Sequence, residues 1–315
     1  MRRGALFKLT CAFPPPTGQP DSAMPELPEV ETVRRGLAAA LVGKTILDVD
    51  LRRGDLRFPF EPGFAETLAG RAIRAVERRA KYLLVRLEGA ATLVIHLGMS
   101  GAIRLERDGE AAATARLHHD LKRIGRHDHV VLTFAGVRAI YNDPRRFGFM
   151  FVAADETLAV HPRLAGLGAE PLDPPLDGAR LAALLAGTSC DLKAALLDQK
   201  RIAGLGNIYV CEALHRARLS PWRGAETLVG PERHARAAAR RLAAAIGETL
   251  ADALAAGGSS LRDFSSAEGK PGYFQHSFRV YDRAGLPCPR KSCNGTIARK
   301  TQSGRSTFYC PKCQT

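Results

Sequence analysis

The sequence has no apolar run approaching the roughly 20 residues that span a bilayer, and only 6% of its 315 residues are aromatic. The first absence excludes a helical membrane anchor. The second argues against an RNA-binding zinc-ribbon protein, because single strands are read by stacking their bases on aromatic rings. Acidic residues are scarce beside basic ones, 32 Asp and Glu against 46 Lys and Arg, a formal net charge of +14. Such an excess points to a polyanionic partner, since each neutralised phosphate releases counterions; a basic, solvated surface is the alternative reading. There is no internal repeat. The length fits two domains with a substantial core.

Residues 1–23 read as a disordered leader or a mis-assigned start. Lys8 interrupts their apolar stretch and Pro14 to Pro16 follow it, which does not suit a secretion signal. A cytoplasmic protein, nucleoid-associated in use, is expected. The seven cysteines fit a reducing compartment: Cys11, Cys190 and Cys211 are scattered, while the other four crowd the C-terminus.

From Met24 the chain becomes patterned. Val30, Val33, Leu37 and Leu41 recur at helical spacing, so 29–42 reads as an amphipathic helix stopped by Gly43. Short β-rich runs follow at 45–51, 82–87, 92–97, 129–134, 137–141 and 149–152, separated by turn residues, as in an antiparallel sandwich or barrel. The polar segment 107–126 has no clear period and reads as a loop. A Pro-rich linker at 170–177 marks a boundary, beyond which helices are expected at 192–199, 207–217 and after Pro231, the last ending at Gly257 and Gly258.

The clustered cysteines are spaced C-x4-C, sixteen residues, C-x2-C: Cys288, Cys293, Cys310 and Cys313. Two close thiolate pairs on facing turns suit tetrahedral Zn2+. Val280 and Tyr281 before the first pair, and Thr307 to Tyr309 before the second, read as the strands of a hairpin. Arg299, Lys300 and Arg305 lie between the pairs and suit phosphate or groove contact.

The segment Met24-Pro-Glu-Leu-Pro-Glu-Val-Glu-Thr-Val-Arg-Arg35 resembles the start of formamidopyrimidine-DNA glycosylases. The resemblance continues through Arg78-Arg-Ala-Lys-Tyr-Leu-Leu84, His96-Leu-Gly-Met-Ser-Gly101 and Asp143-Pro-Arg-Arg-Phe-Gly148. Gly204-Leu-Gly-Asn-Ile-Tyr209, Gly269-Lys-Pro-Gly-Tyr-Phe274 and the cysteine cluster complete it, in the family's order over 24–314. It implies an α+β multidomain monomer that binds one structural Zn2+ and double-stranded DNA containing oxidised bases. Residues 24–155 would form a catalytic antiparallel β-sandwich, 170–275 a helical domain with a helix–two-turn–helix motif, and 278–314 a four-cysteine zinc finger.

The resemblance also implies the chemistry: release of 8-oxoguanine and formamidopyrimidines, then β,δ-elimination at the abasic site through a Schiff base on Pro25. An N-terminal secondary amine suits this, because an α-amino group titrates near 7.7–8.0 against about 10.4 for lysine. Glu26 would protonate the sugar ring oxygen, Lys81 would contact a phosphate beside the lesion and assist elimination, and Arg305 would clamp a phosphate in the last step. Met99, Arg145 and Phe147 match the side chains that fill the space left by a flipped base. His96, His127, Lys193 and Asn207 match DNA-backbone contacts, Asn207 at a helix start that suits phosphate. The segment Gly187-Thr-Ser-Cys-Asp191 departs from the family in lacking basic residues before Lys193. The loop 259–273 matches the lesion-reading loop.

Pro25 is a secondary amine only if nothing precedes it, so translation is expected to start at Met24, with methionine removal. Two rivals remain: an endonuclease VIII-like glycosylase for oxidised pyrimidines, and a non-enzymatic zinc-ribbon DNA-binding protein. The Pro-Glu-Leu-Pro-Glu start, Asp143-Pro-Arg-Arg-Phe147 and Gly269-Lys-Pro-Gly-Tyr-Phe274 together disfavour the former, and the Pro25-Glu26 pair with Lys81 would go unexplained in the latter.

Overall fold

The computed structural model describes residues 24–107, 125–259, 266–267 and 272–315. The leader, most of the polar loop and much of the 259–273 loop thus lie outside the described residues. The chain divides into two compact units. One comprises the described residues up to Ala165 together with Ala253–Gln275; the other comprises Gly166–Asp252 and His276–Thr315.

The first unit opens with helix α1 (Leu27–Leu41), two residues earlier than its periodicity predicts, because Pro28 is tolerated in a first turn whose N–H groups have no helical partner. Val30, Val33, Leu37 and Leu41 form its buried stripe, as expected. Around it are β1 (Asp48–Leu51), α2 (Phe64–Leu68), β2 (Ile73–Arg79), β3 (Tyr82–Leu87), β4 (Ala91–His96), β5 (Ala102–Arg107), β6 (Asp128–Phe134), β7 (Val137–Asn142), β8 (Phe149–Ala154) and α3 (Asp155–Leu158). The strands make two antiparallel four-stranded sheets, in the orders β1-β6-β7-β5 and β2-β3-β4-β8. Side chains from both sheets meet α1 in one core that includes Val33, Leu37, Leu83, Val85, Ile95, Val130 and Leu132. Each such burial stabilises by about 1.5–3 kcal/mol, so the sandwich is a firm platform for the loops at its ends.

Strands β2 and β5 escaped the pattern reading. Ile73–Arg79 carries Arg74, Glu77, Arg78 and Arg79, and buries only Ile73 and Val76 fully. β5 lies at the end of its sheet, where Leu105 donates its N–H to the Ala267 carbonyl at 2.9 Å.

The second unit contains α4 (Gly178–Leu185), capped by Asp177 accepting the Arg180 N–H at 2.7 Å. It continues with α5 (Leu192–Leu197), α6 (Asn207–Ala217) and most of α7 (Arg233–Ala255), whose buried face carries Leu242, Ile246 and Leu250. Gly257 and Gly258, at φ +72° and +83°, end α7 with N–H bonds to Leu254 and Ala253. The hairpin β9 (Ala298–Gln302) and β10 (Arg305–Tyr309) closes the unit around Ser303 and Gly304, both at positive φ, as a two-residue turn requires.

This hairpin corrects one sequence reading. Both of its strands lie between the cysteine pairs, and Val280–Tyr281 is not a strand. The amides of Arg279, Val280 and Tyr281 instead converge on the buried Glu212 carboxylate at 2.8–3.1 Å. Segment Ala253–Gln275, expected with the helices, groups with the sheets. Its ties there include Ala267 to β5 and Ser259 to Glu29.

Candidate active site

In the first unit the carboxylate of Glu29 organises the N-terminal segment. Glu29 is the third residue of α1, so its side chain reaches back over the helix start and accepts the Glu26 N–H at 2.9 Å, one arm of a capping box. Its other oxygen accepts the Ser259 N–H at 2.8 Å and the Ser259 hydroxyl at 3.2 Å. Glu26 and Glu29 are buried at 4% and 2% exposure, and Pro25 is buried beside them. The Pro25-Glu26 pair is thereby tied to the stem of the 259–273 loop. That stem is held together by the Tyr273 N–H on Ala256 O and the Phe274 N–H on Gly258 O. Gly258 suits this position, since at φ +83° any other side chain is strained and its Cβ would stand 3.0 Å from the Glu29 Oε1. Sequence spacing alone makes Glu29 a helix cap; its contact 230 residues away is the part that spacing does not show.

Lys81 sits in the tight β2–β3 turn and is 7% exposed, rare for a lysine. The turn bends through Ala80 at φ 53°, and Arg78 braces it by donating to the Ala80 carbonyl while pairing with Glu31. His96 ends β4 directly across from Tyr82, with ring centroids 4.9 Å apart. Its Nδ1 accepts the Gly98 N–H at 3.0 Å, and its ring stacks on Phe149 at 5.0 Å. Burial, then the charges of Lys81, Arg57 and Arg163, lower its pKa to about 4. At neutral pH the ring is uncharged with its single proton on Nε2, a neutral donor among cations.

Met99, Arg145 and Phe147 stand on two loops that the unit locks together. Gly98 packs its Cα against the other loop so closely that a Cβ would fall 2.3 Å from the Gly148 nitrogen. Ser100 donates to Asp143 Oδ1 at 2.5 Å and accepts the Arg145 N–H at 3.1 Å. Asp143, fully buried, also accepts the Gly148 N–H and the Tyr141 hydroxyl. On this frame Phe147 is 39% exposed and the Arg145 guanidinium lies 5.1 Å from its ring centre. His127 is half-buried, its carbonyl holding the Asp143 N–H at 3.0 Å. Next to it, Asp128 is bidentate to Arg104 at 2.8 and 2.9 Å. Burial opposes its ionisation, but Arg104, Asn142 and the Gly125 N–H outweigh that and keep its pKa below the ordinary carboxylate value.

The second unit gathers another set. Lys193 is 1% exposed, and its ammonium donates to Ser306 O at 3.1 Å and Thr307 Oγ1 at 2.7 Å. Asn207, first residue of α6, donates to the same Ser306 carbonyl at 2.9 Å, while its buried Oδ1 has no partner among the described residues. Both side chains therefore grip the strand that begins with Arg305. Lys193 was expected at the DNA backbone; here its charge is turned onto the hairpin. Two further residues hold this arrangement and carried no sequence signal. Gln302 bonds Asp191 and the Pro221 carbonyl, and Gln199 spans the turns between α5 and α6 by bonding Leu197, Leu205 and Gly204.

The sulfurs of Cys288, Cys293, Cys310 and Cys313 lie within 4.8 Å of one another, with Cys288–Cys313 at 3.8 Å and Cys293–Cys310 at 3.6 Å. Thiolates about 2.3 Å from one tetrahedral Zn2+ stand about 3.8 Å apart, so the set fits one such ion. Burial and the neighbouring sulfurs disfavour its thiolate form in the absence of a cation, pushing the Cys313 thiol up to about 12. His215, fully buried, places Nε2 3.4 Å from the Cys288 sulfur, as outer partners of metal ligands do.

Comparison with known proteins gives three family matches in chain order. The formamidopyrimidine-DNA glycosylase N-terminal domain matches 24–150, the H2TH domain of the same glycosylase 167–265, and a zinc finger found in FPG and IleRS 285–315. The chain is 58% identical over 292 residues to the formamidopyrimidine-DNA glycosylase of Methylocella silvestris, and 55% over 296 to that of Chelativorans sp.; each match covers 92% of this chain and all of the relative. The crystal structure of the MutM (Fpg) protein of Thermus thermophilus is similar at 40% identity and TM-score 0.77, covering 92% of this chain and 98% of that one. A complex of Lactococcus lactis Fpg with abasic-site DNA is similar at 31% identity and TM-score 0.78, covering 92% and 100%.

Proposed function

The chain belongs to the formamidopyrimidine-DNA glycosylase family, and from that premise we propose that it removes oxidised purines from duplex DNA with Pro25 as its nucleophile. It is a base-excision-repair glycosylase and abasic-site lyase, with one structural zinc held by Cys288, Cys293, Cys310 and Cys313. The Pro25 nitrogen attacks C1′ of the damaged nucleotide, and the base leaves with the C1′–N bonding pair. Glu26 gives its proton to the ring oxygen as the C1′–O4′ bond breaks, and loss of the nitrogen's proton leaves an iminium. That iminium acidifies the C2′ hydrogens, so the 3′ and then the 5′ phosphate depart by elimination.

The observation that carries this reading is the Glu29 carboxylate joining the Glu26 amide to Ser259 at the stem of the 259–273 loop. A nucleophile and acid tied to the loop that reads the base can respond to which base is bound. Lys81 and His96 serve the phosphate beside the lesion; Met99, Arg145 and Phe147 fill the vacated stack; His127 supports their loop. In the other unit Arg305 clamps a phosphate, with Lys193 and Asn207 acting through the Ser306 carbonyl. The domains follow the same division of labour, 24–155 with the 259–273 loop for chemistry and base reading, the helices of 170–252 and the zinc finger 278–314 for grip. The protein works as a monomer on chromosomal DNA in the cytoplasm; no helix among the described residues is long and apolar enough to cross a membrane.

Borohydride reduction during reaction with an 8-oxoguanine duplex should link the polypeptide to DNA through Pro25. Pro25→Gly should lose most lyase activity and keep lesion binding; unchanged turnover in that variant contradicts the assignment. A thymine glycol duplex in the same assay should be the poorer substrate. The chemistry also requires a free nitrogen on Pro25 in the active protein, with no residue attached to it. Intact mass of the active protein checks this, and an active form retaining Met1 would refute it.

A further inference from the structure

Three cations act on His96, and two of them have no role in the chemistry above. Arg57 follows β1 by a short loop, its N–H bonded to the Gly148 carbonyl at 3.0 Å. Arg163 lies just beyond α3. The Arg163 guanidinium carbon stands 4.0 Å from the ring centre of Phe58 and 4.6 Å from that of Phe149, the ring on which His96 stacks. Arg57 flanks the same Phe58 ring at 5.6 Å. Phe58 is 38% exposed and meets Phe149 edge to face at 5.6 Å. Neither guanidinium makes an ion pair or a side-chain hydrogen bond among the described residues.

Gathering like charges is unfavourable unless an anion joins them. After burial and Lys81, both arginines add to the lowering of the His96 pKa. An arginine held against aromatic faces is pre-oriented, and its five donors suit a phosphate bidentately. Exposed cation–π contacts contribute only about 0.5–1 kcal/mol, too little to explain by themselves why two unpaired arginines converge on one ring.

We propose that Arg163, seated on Phe58 and Phe149 with Arg57 beside it, forms an additional subsite for a DNA backbone phosphate, next to the one served by His96 and Lys81. This inference rests on the glycosylase reading for its ligand, a duplex. The subsite also offers compensation for the missing basic residues ahead of Lys193, because backbone affinity can be supplied from the sheet unit instead.

The test measures equilibrium binding of the full chain to a duplex bearing a tetrahydrofuran abasic analogue, across a salt series. Each phosphate contact contributes about 0.9 to the slope of log affinity against log salt. R163A should therefore flatten the slope by about 0.9, so that between 50 and 200 mM salt the wild type loses about 3.5-fold more affinity than the variant. R163K should keep the slope. F58L should weaken binding at every salt concentration by releasing the guanidinium. R35A, which removes an exposed arginine already paired with Glu31 at 2.9 Å, should leave the slope unchanged. An unaltered slope in R163A, or an equal flattening in R35A, overturns the proposal. Borohydride trapping of the wild type on an abasic duplex is scored separately. Trapping with no slope change removes the subsite alone, whereas a slope change without trapping removes the glycosylase reading and leaves a DNA contact.

Discussion

Replacing Glu29 tests the proposed link between the Pro25–Glu26 pair and the 259–273 loop directly. Its two oxygens take one backbone N–H each, from Glu26 at 2.9 Å and from Ser259 at 2.8 Å, in a site 2% exposed. A hydrogen bond to a charged acceptor contributes about 1.5–3 kcal/mol, and a buried amide left without one costs a similar amount. Glu29→Gln retains one acceptor oxygen and turns an amide group toward the other N–H, so it should destabilise by about 1.5–3 kcal/mol. Glu29→Ala orphans both amides, for about 3–6 kcal/mol. The effect on rate should exceed that on substrate binding, because a displacement of about 1 Å at a reacting group costs about a hundredfold. Single-turnover cleavage of an 8-oxoguanine duplex, run beside thermal unfolding, should rank wild type above Gln above Ala in both. Gly258→Ala offers an independent route to the same contact, since its Cβ would press on the Glu29 carboxylate from a φ of +83°. The two changes should be non-additive, as expected of residues sharing one interaction. An alanine variant that melts and cleaves like the wild type, within error, would refute the coupling.

Glu212→Ala should strand the amides of Arg279, Val280 and Tyr281 and lower stability by about 3 kcal/mol or more, read as a drop in melting temperature; a melting curve identical to wild type would count against this anchor. Stripping zinc with a strong chelator should unfold the β9–β10 hairpin and abolish DNA nicking, with recovery on adding Zn2+; nicking that survives complete stripping would show the hairpin to be dispensable. The lowered pKa of His96 sets a pH dependence. Unfolded histidine takes a proton near 6.5 and the folded ring near 4. The unfolded state therefore binds more protons in that window, and stability should fall as pH drops from 6.5 to 4, by about 1–3 kcal/mol after allowing for partial exposure. Urea titrations at pH 7 and pH 4 measure it, and His96→Gln should show a shallower acid loss; an identical loss in the variant would assign the effect elsewhere, Asp128 being the next candidate because its lowered pKa acts in the same direction.

Much of this architecture was legible because its signals are local. The α1 stripe, six strands and the cysteine spacing each follow from a few adjacent residues. Strand β2 was not legible, because its identity depends on pairing with β3 while its own composition is rich in charge. Val280–Tyr281 misled for the opposite reason: β-forming residues there surrender their amides to a carboxylate 68 residues away in the chain. Among site residues, Pro25, Glu26 and Lys81 were reached only through family resemblance, since Pro-Glu after Met is unremarkable alone. Glu29, Ser100 and Gln302 were missed because each bonds groups far along the chain, and Asp143 and Gln199 because they knit irregular turns whose shape no residue pattern encodes. Lys193 has the residue type of a DNA contact, and only its burial among Ser306 and Thr307 reveals what its charge holds.

The frame built on Asp143 has a mechanical consequence. Met99 and the Arg145–Phe147 pair belong to loops already clamped by Gly98, Ser100 and Gly148, so the wedge proposed for them is built before any duplex arrives. A loop that ordered itself only on contact would forfeit about 1–2 kcal/mol of backbone freedom per residue at that moment. Here that entropy was surrendered when the sandwich folded. In the proposed wedge role this leaves docking energy free for bending and unstacking the helix, and a pre-shaped probe would sample many normal base pairs quickly without refolding at each one.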